Sequence, residues 1–206
     1  MIFFTLFTSA LFTALSSVLI YKISSFFTKN QQIMIAVAFI YGIGSLAFSY
    51  GIVLNTLAVG TFFSLFSFLL ILKIIYRKKG SYCNFFFSGL FSGLAFIFDF
   101  STALISILLF FYLLSKSRPP KKSIFLFFGL IIPLFLFILF NYSILGKIDF
   151  ISKYEDPKIF PTVPDYIFNS YGFLSPSIAV LYQILFGTYR GLLFYFPVYY
   201  ISLIGL

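Results

Sequence analysis

An all-α, polytopic transmembrane helical bundle is the fold this sequence predicts, on three observations. Of its 206 residues 61% are hydrophobic and only 9% charged, where a soluble domain carries roughly 25% charged residues. Mean hydropathy is +1.08. Apolar runs of spanning length recur along the chain, with short basic stretches between them. A water-soluble globule and a disordered chain are both excluded. The expectation is about seven membrane segments plus a short interfacial helix, in a single transmembrane domain over residues 1–206 with an extracytoplasmic segment over 143–190.

A spanning helix needs about 20 apolar residues. The first candidate runs from about Ile2 to Tyr21. It has no basic leader and no small-residue cleavage site, so it reads as a span and not a signal peptide. The second runs from about Ile33 to Val53 and the third from about Thr56 to Tyr76, joined by a tight turn at Leu54 and Asn55. The stretch from about Asn84 to Leu114 is one long helix or two short ones, and the flanking charges decide. Arg77, Lys78 and Lys79 precede it; Lys116, Arg118, Lys121 and Lys122 follow. Two short helices bending near Asp99 keep both basic clusters on the cytoplasmic side, as membrane insertion prefers. Each would have about 14 residues and span ~21 Å.

The sixth span runs from about Ser123 to Tyr142. A polar stretch follows to about Pro176, broken by Pro157, Pro161, Pro164 and Pro176. Ile178–Phe186 is apolar but too short to cross, so it reads as the interfacial or re-entrant helix. A last apolar run opens at Gly191 and continues to Leu206. An external N-terminus and an apolar end without flanking charge carry the expectation that the sequence is incomplete at both ends.

The charges sort cleanly on this layout. Lys22, Lys29, Lys73 and the two basic clusters fall on one side with no acidic residue among them. Asp99, Asp149, Glu155, Asp156 and Asp165 fall on the other, with Lys147, Lys153, Lys158 and Arg190. That segregation puts the basic loops in the cytoplasm and residues 143–190 outside. The net charge of +9 therefore reads as topology and anionic-lipid contact, and no nucleic-acid partner is expected. Tyr21, Tyr76 and Tyr112 mark the inner interface, Tyr50 and Tyr142 the outer one. The 34 Phe residues read as lipid-facing mass.

The chain has no histidine and one cysteine, Cys83. A histidine triad, a histidine-bound metal, a cysteine cluster and an internal disulfide cannot be built from it. No phosphate loop, dinucleotide fingerprint or nucleophile elbow occurs. Two residues stand out as substrate-binding candidates. Asp99 lies between two apolar runs, and a carboxylate at bilayer depth costs about 2.5–3.5 kcal/mol at a helix centre. Such a group faces a cavity or a partner such as Arg190; the structural alternative is a carboxylate in the outer interface that caps a helix or accepts a hydrogen bond from Ser101. Arg190, in Gly187-Thr-Tyr-Arg-Gly191, is the one basic residue at an outer helix start. It would hold a phosphate there, or simply snorkel to lipid headgroups. Glu155 and Asp156, with Asp165, offer oxygens to a divalent cation, although a solvated loop is the plainer reading. No cofactor is evident. Gly89-Leu-Phe-Ser-Gly93 is a GxxxG that lets two helices approach closely, and Gly42, Gly44 and Gly51 are expected to serve packing too.

Five stretches carry a family likeness: Ser9–Ser16, Ile40–Phe48, Gly89–Phe96 with Asp99, Asn141-Tyr142 with Gly146, and Arg190-Gly-Leu-Leu-Phe-Tyr-Phe-Pro-Val198. In these the chain resembles polytopic membrane glycosyltransferases of the GT-C superfamily, mannosyltransferase-like. The resemblance implies a multi-pass protein of the cell membrane that takes a sugar from a polyprenyl-phosphate carrier and transfers it on the extracytoplasmic face. Its partners would be membrane lipids and the polyprenyl-phosphate-linked sugar. It also implies a catalytic acid in a first outer loop. No acidic residue precedes Asp99, so the catalytic base is unassigned, and by resemblance Asp99 and Arg190 line the outer cavity without being that base. An inactive fragment fits the same residues. The competing readings are a transporter or lipid flippase, for which inverted repeats are not evident, and a non-catalytic membrane subunit.

Overall fold

The structure is a computed structural model that describes residues 2–76, 81–116, 120–145, 178–187, 192–196 and 199–200. It forms two compact units, Met1–Phe135 and Leu136–Leu206. Every element among the described residues is helical.

The first unit opens with α1 (Ile2–Thr5), a π-helical turn (Leu6–Ala10) and α2 (Leu11–Ser24), which run on without a break. A π turn admits one extra residue and redirects the side chains around it. Here it accompanies the burial of Ser9, whose hydroxyl donates to the Asn55 carbonyl (3.1 Å) and accepts the Asn55 N–H (2.8 Å). Asn55 in turn caps the next long helix, its Oδ1 accepting the Leu57 N–H at 2.9 Å.

The second expected span is not one helix. α3 (Gln31–Gly44) stops at Ser45, and α4 (Leu46–Gly51) starts after it. Ser45 takes an extended backbone (φ −124°, ψ 174°). Its hydroxyl donates to the Tyr41 carbonyl (2.6 Å) and accepts the Ala47 N–H (3.1 Å), closing one helix and capping the next. Two of the three glycines noted here do serve packing. A Cβ on Gly42 would come within 2.8 Å of Ser17 Oγ, and one on Gly51 within 3.0 Å of Thr13 Oγ1. Gly44 meets nothing nearer than Ile40 of its own helix.

α5 (Thr56–Tyr76) matches the bounds read from the sequence. α6 (Tyr82–Phe98) and α7 (Thr102–Lys116) are the expected pair of short helices, with the break at Asp99. At 17 and 15 residues they span ~25 and ~22 Å. A single 3₁₀ turn (Pro120–Ser123) leads into α8 (Ile124–Leu145). Among the described residues three helical stretches, Phe3–Ser24, Thr56–Tyr76 and Ile124–Ile144, are long and apolar enough to cross a membrane; α3, α6 and α7 are shorter apolar helices. In the second unit, α9 (Ile178–Phe186) occupies the residues expected for the interfacial helix, and α10 (Leu192–Tyr195) is a single turn. Most of the expected last span lies outside the described residues.

Lipid tails are as apolar as leucine, so helices in a bilayer associate through small residues and hydrogen bonds, not through hydrophobic burial. The first unit does both. Between α5 and α6, the Ser67 hydroxyl donates to the Ser88 carbonyl (2.8 Å) and lies 2.9 Å from the Ser92 hydroxyl. Ser106 of α7 reaches the Ser92 carbonyl at 3.5 Å. Between α6 and α8 the glycines bring backbone onto backbone. A Cβ on Gly89 would overlap the Leu126 carbonyl oxygen. One on Gly129 would overlap the Phe86 carbonyl oxygen, and one on Gly93 would come within 2.9 Å of the Leu130 oxygen. The outer faces are apolar: Phe3, Phe39, Phe127 and Phe128 are exposed, as the phenylalanine content predicts.

Contacts fix which helix ends lie together. Ile74, Phe85, Leu113 and Leu126 form one buried cluster, which joins the end of α5, the start of α6, the end of α7 and the start of α8. Phe26 and Phe27 pack on Tyr76, bringing the α2–α3 turn to the same end. Lys122 sits over the Tyr82 ring, 5.0 Å from its centre. Lys22, Lys29, Lys73, Lys116 and Lys122 thus all belong to one end of this unit.

Candidate functional site

Asp99 belongs to the other end. It follows the last residue of α6 and rests on Gly60 of α5, where a Cβ on the glycine would approach Asp99 Cβ to 3.1 Å. Gly60 lies in the second turn of α5, far from Lys73 in its last turn. Among the described residues Asp99 is the sole carboxylate side chain.

The sequence Phe98-Asp-Phe-Ser-Thr102 explains the local geometry. Asp99 takes an extended backbone (φ −153°, ψ 114°), and its N–H still donates to the Ala95 carbonyl at 3.0 Å, the last bond of α6. Its Oδ1 then accepts the Ser101 N–H (3.0 Å) and its Oδ2 the Ser101 hydroxyl (2.6 Å). Its own carbonyl accepts the Thr102 N–H (3.1 Å) and the Thr102 hydroxyl (2.7 Å). Asp99 therefore closes α6 and caps α7. A carboxylate suits that place because the start of a helix carries free N–H donors and partial positive charge. The hydrogen bond from Ser101 is the one the sequence offers as the structural alternative. Asp99 is half-buried, and each oxygen keeps lone pairs beyond the bond to Ser101.

Arg190, Glu155, Asp156 and Asp165 all lie outside the described residues, so the structure does not bring a second candidate to Asp99. Among the described residues no group of three or more His, Cys, Asp or Glu side chains gathers to hold a metal. A cavity of about 600 Å³ lies between α2 and α3–α4 and is lined by Ala14, Ser17, Ala38 and Gly42 among others, with Tyr21 as its one ionisable group. It is an open groove with an apolar lining and little chemistry.

A model of the dolichyl-phosphate-mannose-protein mannosyltransferase family matches residues 2–142. The chain belongs to this family. The matched stretch covers more than half of the 206 residues. It includes the π turn, the serine contacts, the Asp99 break and the glycine crossing of α6 with α8. No curated protein and no solved structure gives a significant match. As a member of the dolichyl-phosphate-mannose-protein mannosyltransferase family with three helices of spanning length and hydropathy, it is a membrane protein of glycosyltransferase type. Arg190 falls beyond the matched residues.

Sequence reasoning singled out Asp99 but missed the hydroxyls. Ser9, Ser64, Ser67, Ser88 and Ser92 are all buried. The available signal was their recurrence inside otherwise apolar helices, where small polar residues mark helix contacts.

Proposed function

We propose that this family member is a multi-pass protein of the cell membrane that serves sugar transfer from a polyprenyl-phosphate carrier on the extracytoplasmic face. The observation that carries the reading is the placement of Asp99 at the end of the first unit opposite Lys22, Lys29, Lys73, Lys116 and Lys122. Basic residues are retained in the cytosol, so in this reading Asp99 faces outward. Family membership supplies the reaction class. In that reaction a base takes the proton of the acceptor hydroxyl, whose oxygen attacks the anomeric carbon. The bond from that carbon to the carrier phosphate breaks, and the phosphate leaves with the electron pair. A cation that binds the phosphate stabilises it as charge develops. In our reading Arg190 fills this role, Asp99 contacts a substrate hydroxyl, and the base is unassigned.

Two experiments test the reading. Arg190→Ala should weaken binding of a polyprenyl phosphate about tenfold or more, the effect of removing a charged hydrogen bond, whereas Lys158→Ala should change it less than twofold. Equal, small effects on equilibrium binding would remove Arg190 from the site. For sidedness, a Glu155→Cys variant in intact cells should react with a membrane-impermeant maleimide. The native Cys83, exposed at the start of α6 and so at the lysine end, should react only after permeabilisation. The reverse pattern would invert the topology.

A second reading has one observation in its favour. Both oxygens of Asp99 are held by Ser101, as expected of a purely structural cap in a non-catalytic membrane subunit.

A further inference from the structure

The open groove between α2 and α3–α4 starts at the lysine end of the first unit. Ser17 meets Gly42 and Thr13 meets Gly51 across it. Tyr21 and Ile35 therefore line the end beside the α2–α3 turn, and Ala10 and Ile52 line the far end. From Ala10 to Tyr21 the helix rises ~16 Å at about 1.5 Å per residue. The hydrocarbon of one leaflet is about 15 Å deep, half of a core about 30 Å thick. Over that length the groove presents almost no polar surface. It therefore takes hydrocarbon, and rejects any group that would need a hydrogen bond there. Ala14, exposed on the groove, is too small to fill it.

The end beside the turn is basic. Lys22 follows Val18 of the groove by four residues, which places it one turn further along the same flank of α2. Lys29 directly precedes Asn30, the N-cap of α3, where the start of the helix adds partial positive charge. Both lysines are exposed. The sole carboxylate side chain among the described residues is Asp99, at the opposite end of the unit, so none of these residues offers Lys22 or Lys29 a counter-charge. An anionic headgroup at the membrane surface does. Apolar length and positive mouth together describe an amphiphile with one acidic head and a tail that reaches the depth of one leaflet.

We propose that this groove seats one anionic glycerophospholipid of the leaflet at the lysine end, with its phosphate at Lys22 and Lys29 and an acyl tail along α2. A zwitterionic lipid brings the same tail but a compensated head, so the lysines select between the two. The inference stands apart from the sugar-transfer reading. It uses neither Arg190 nor Asp99, and it holds whichever side of the membrane the lysine end faces.

The test uses the full chain in phosphatidylcholine nanodiscs that carry a trace of photoprobe with a diazirine in its acyl tail. The probe is phosphatidylglycerol or phosphatidylcholine, with the same tails and at equal mole fraction. Phosphatidylglycerol should label peptides of α2 and α3 about fivefold more than phosphatidylcholine, the factor that one lysine near the surface contributes. Lys22→Gln combined with Lys29→Gln should bring that preference below about twofold, while labelling by phosphatidylcholine persists. Lys116→Gln combined with Lys122→Gln removes the same charge from the same end, on α7 and ahead of α8, and should leave the preference at α2 and α3 unchanged. Ala14→Phe, which fills the groove from an exposed position, should lower labelling there by both probes. Equal labelling by the two probes in the unaltered protein would overturn the proposal. So would a preference that falls equally in both lysine pairs, which would report diffuse surface charge, or labelling that Ala14→Phe leaves intact. Stronger displacement by a polyprenyl phosphate than by unlabelled phosphatidylglycerol would overturn it in favour of the sugar carrier, and labelling by neither probe in favour of another protein chain.

Discussion

Gly89→Ala is expected to cost this protein about 3 kcal/mol or more, the upper range for forcing extra volume into a packed interior. The added methyl group would occupy the place of the Leu126 carbonyl oxygen. That oxygen belongs to helix backbone, so no rotamer change can relieve the overlap, and α6 and α8 must move apart. Separation also strips Gly129 from the Phe86 and Leu90 backbone and forfeits contact along the whole crossing. Gly44→Ala is the matched control. Its nearest neighbour is Ile40 Cγ2 at 3.7 Å, an ordinary contact, so its effect should stay within about 0.5 kcal/mol. Thermal unfolding of the detergent-solubilised proteins, with size-exclusion profiles as a check on folding, measures both. A Gly89→Ala protein as stable as the Gly44→Ala control would refute the close crossing.

The second large effect separates the two readings of Asp99. Asp99→Ala removes the cap of α7 and both bonds to Ser101, with an expected cost of about 1 kcal/mol, within the usual range for losing an N-cap. Asp99→Asn retains an oxygen for the Ser101 N–H and caps nearly as well, so its stability should lie within a few tenths of a kcal/mol of the unaltered protein. If the carboxylate contacts substrate, the asparagine protein nonetheless loses at least tenfold in sugar transfer, about 1.4 kcal/mol of transition-state stabilisation. A folded asparagine variant with unchanged transfer would leave Asp99 as a cap alone. Measuring stability and transfer on the same preparations keeps the two roles distinct.

How much of this was legible in the sequence depended on whether the signal was local. The bounds of α5 and of α9, Thr56–Tyr76 and Ile178–Phe186, follow directly from apolar run length. The break at Asp99 was legible because charge clusters on both sides require an even number of crossings, and Ser101 next to it announces the cap. Gly89 and Gly93 were legible as a close-approach motif, but their partner, Gly129 with Leu126 and Leu130, was not, since spacing within one helix says nothing of the helix it meets. The stop at Ser45 was hidden for a related reason. Ile43-Gly-Ser-Leu-Ala47 keeps an apolar average, and a single serine that turns its hydroxyl on Tyr41 and Ala47 leaves no trace in hydropathy. The π turn around Ser9 is likewise invisible, because a serine's bonding is decided by geometry and not by composition. At the candidate site the sequence named Asp99 and offered its bond to Ser101, whereas what Arg190 meets lies outside the described residues.

The serine contacts between α5 and α6 also bear on how the first unit can move. Ser67 engages the carbonyl of Ser88 and the hydroxyl of Ser92 at once, two points one helical turn apart. Sliding α5 along α6 by a turn, about 5.4 Å, would strand these groups in hydrocarbon, so the two helices behave as a keyed shaft: free of any sliding gear, they must travel together. The unwound residues 99–101 between α6 and α7 lie outside that pairing.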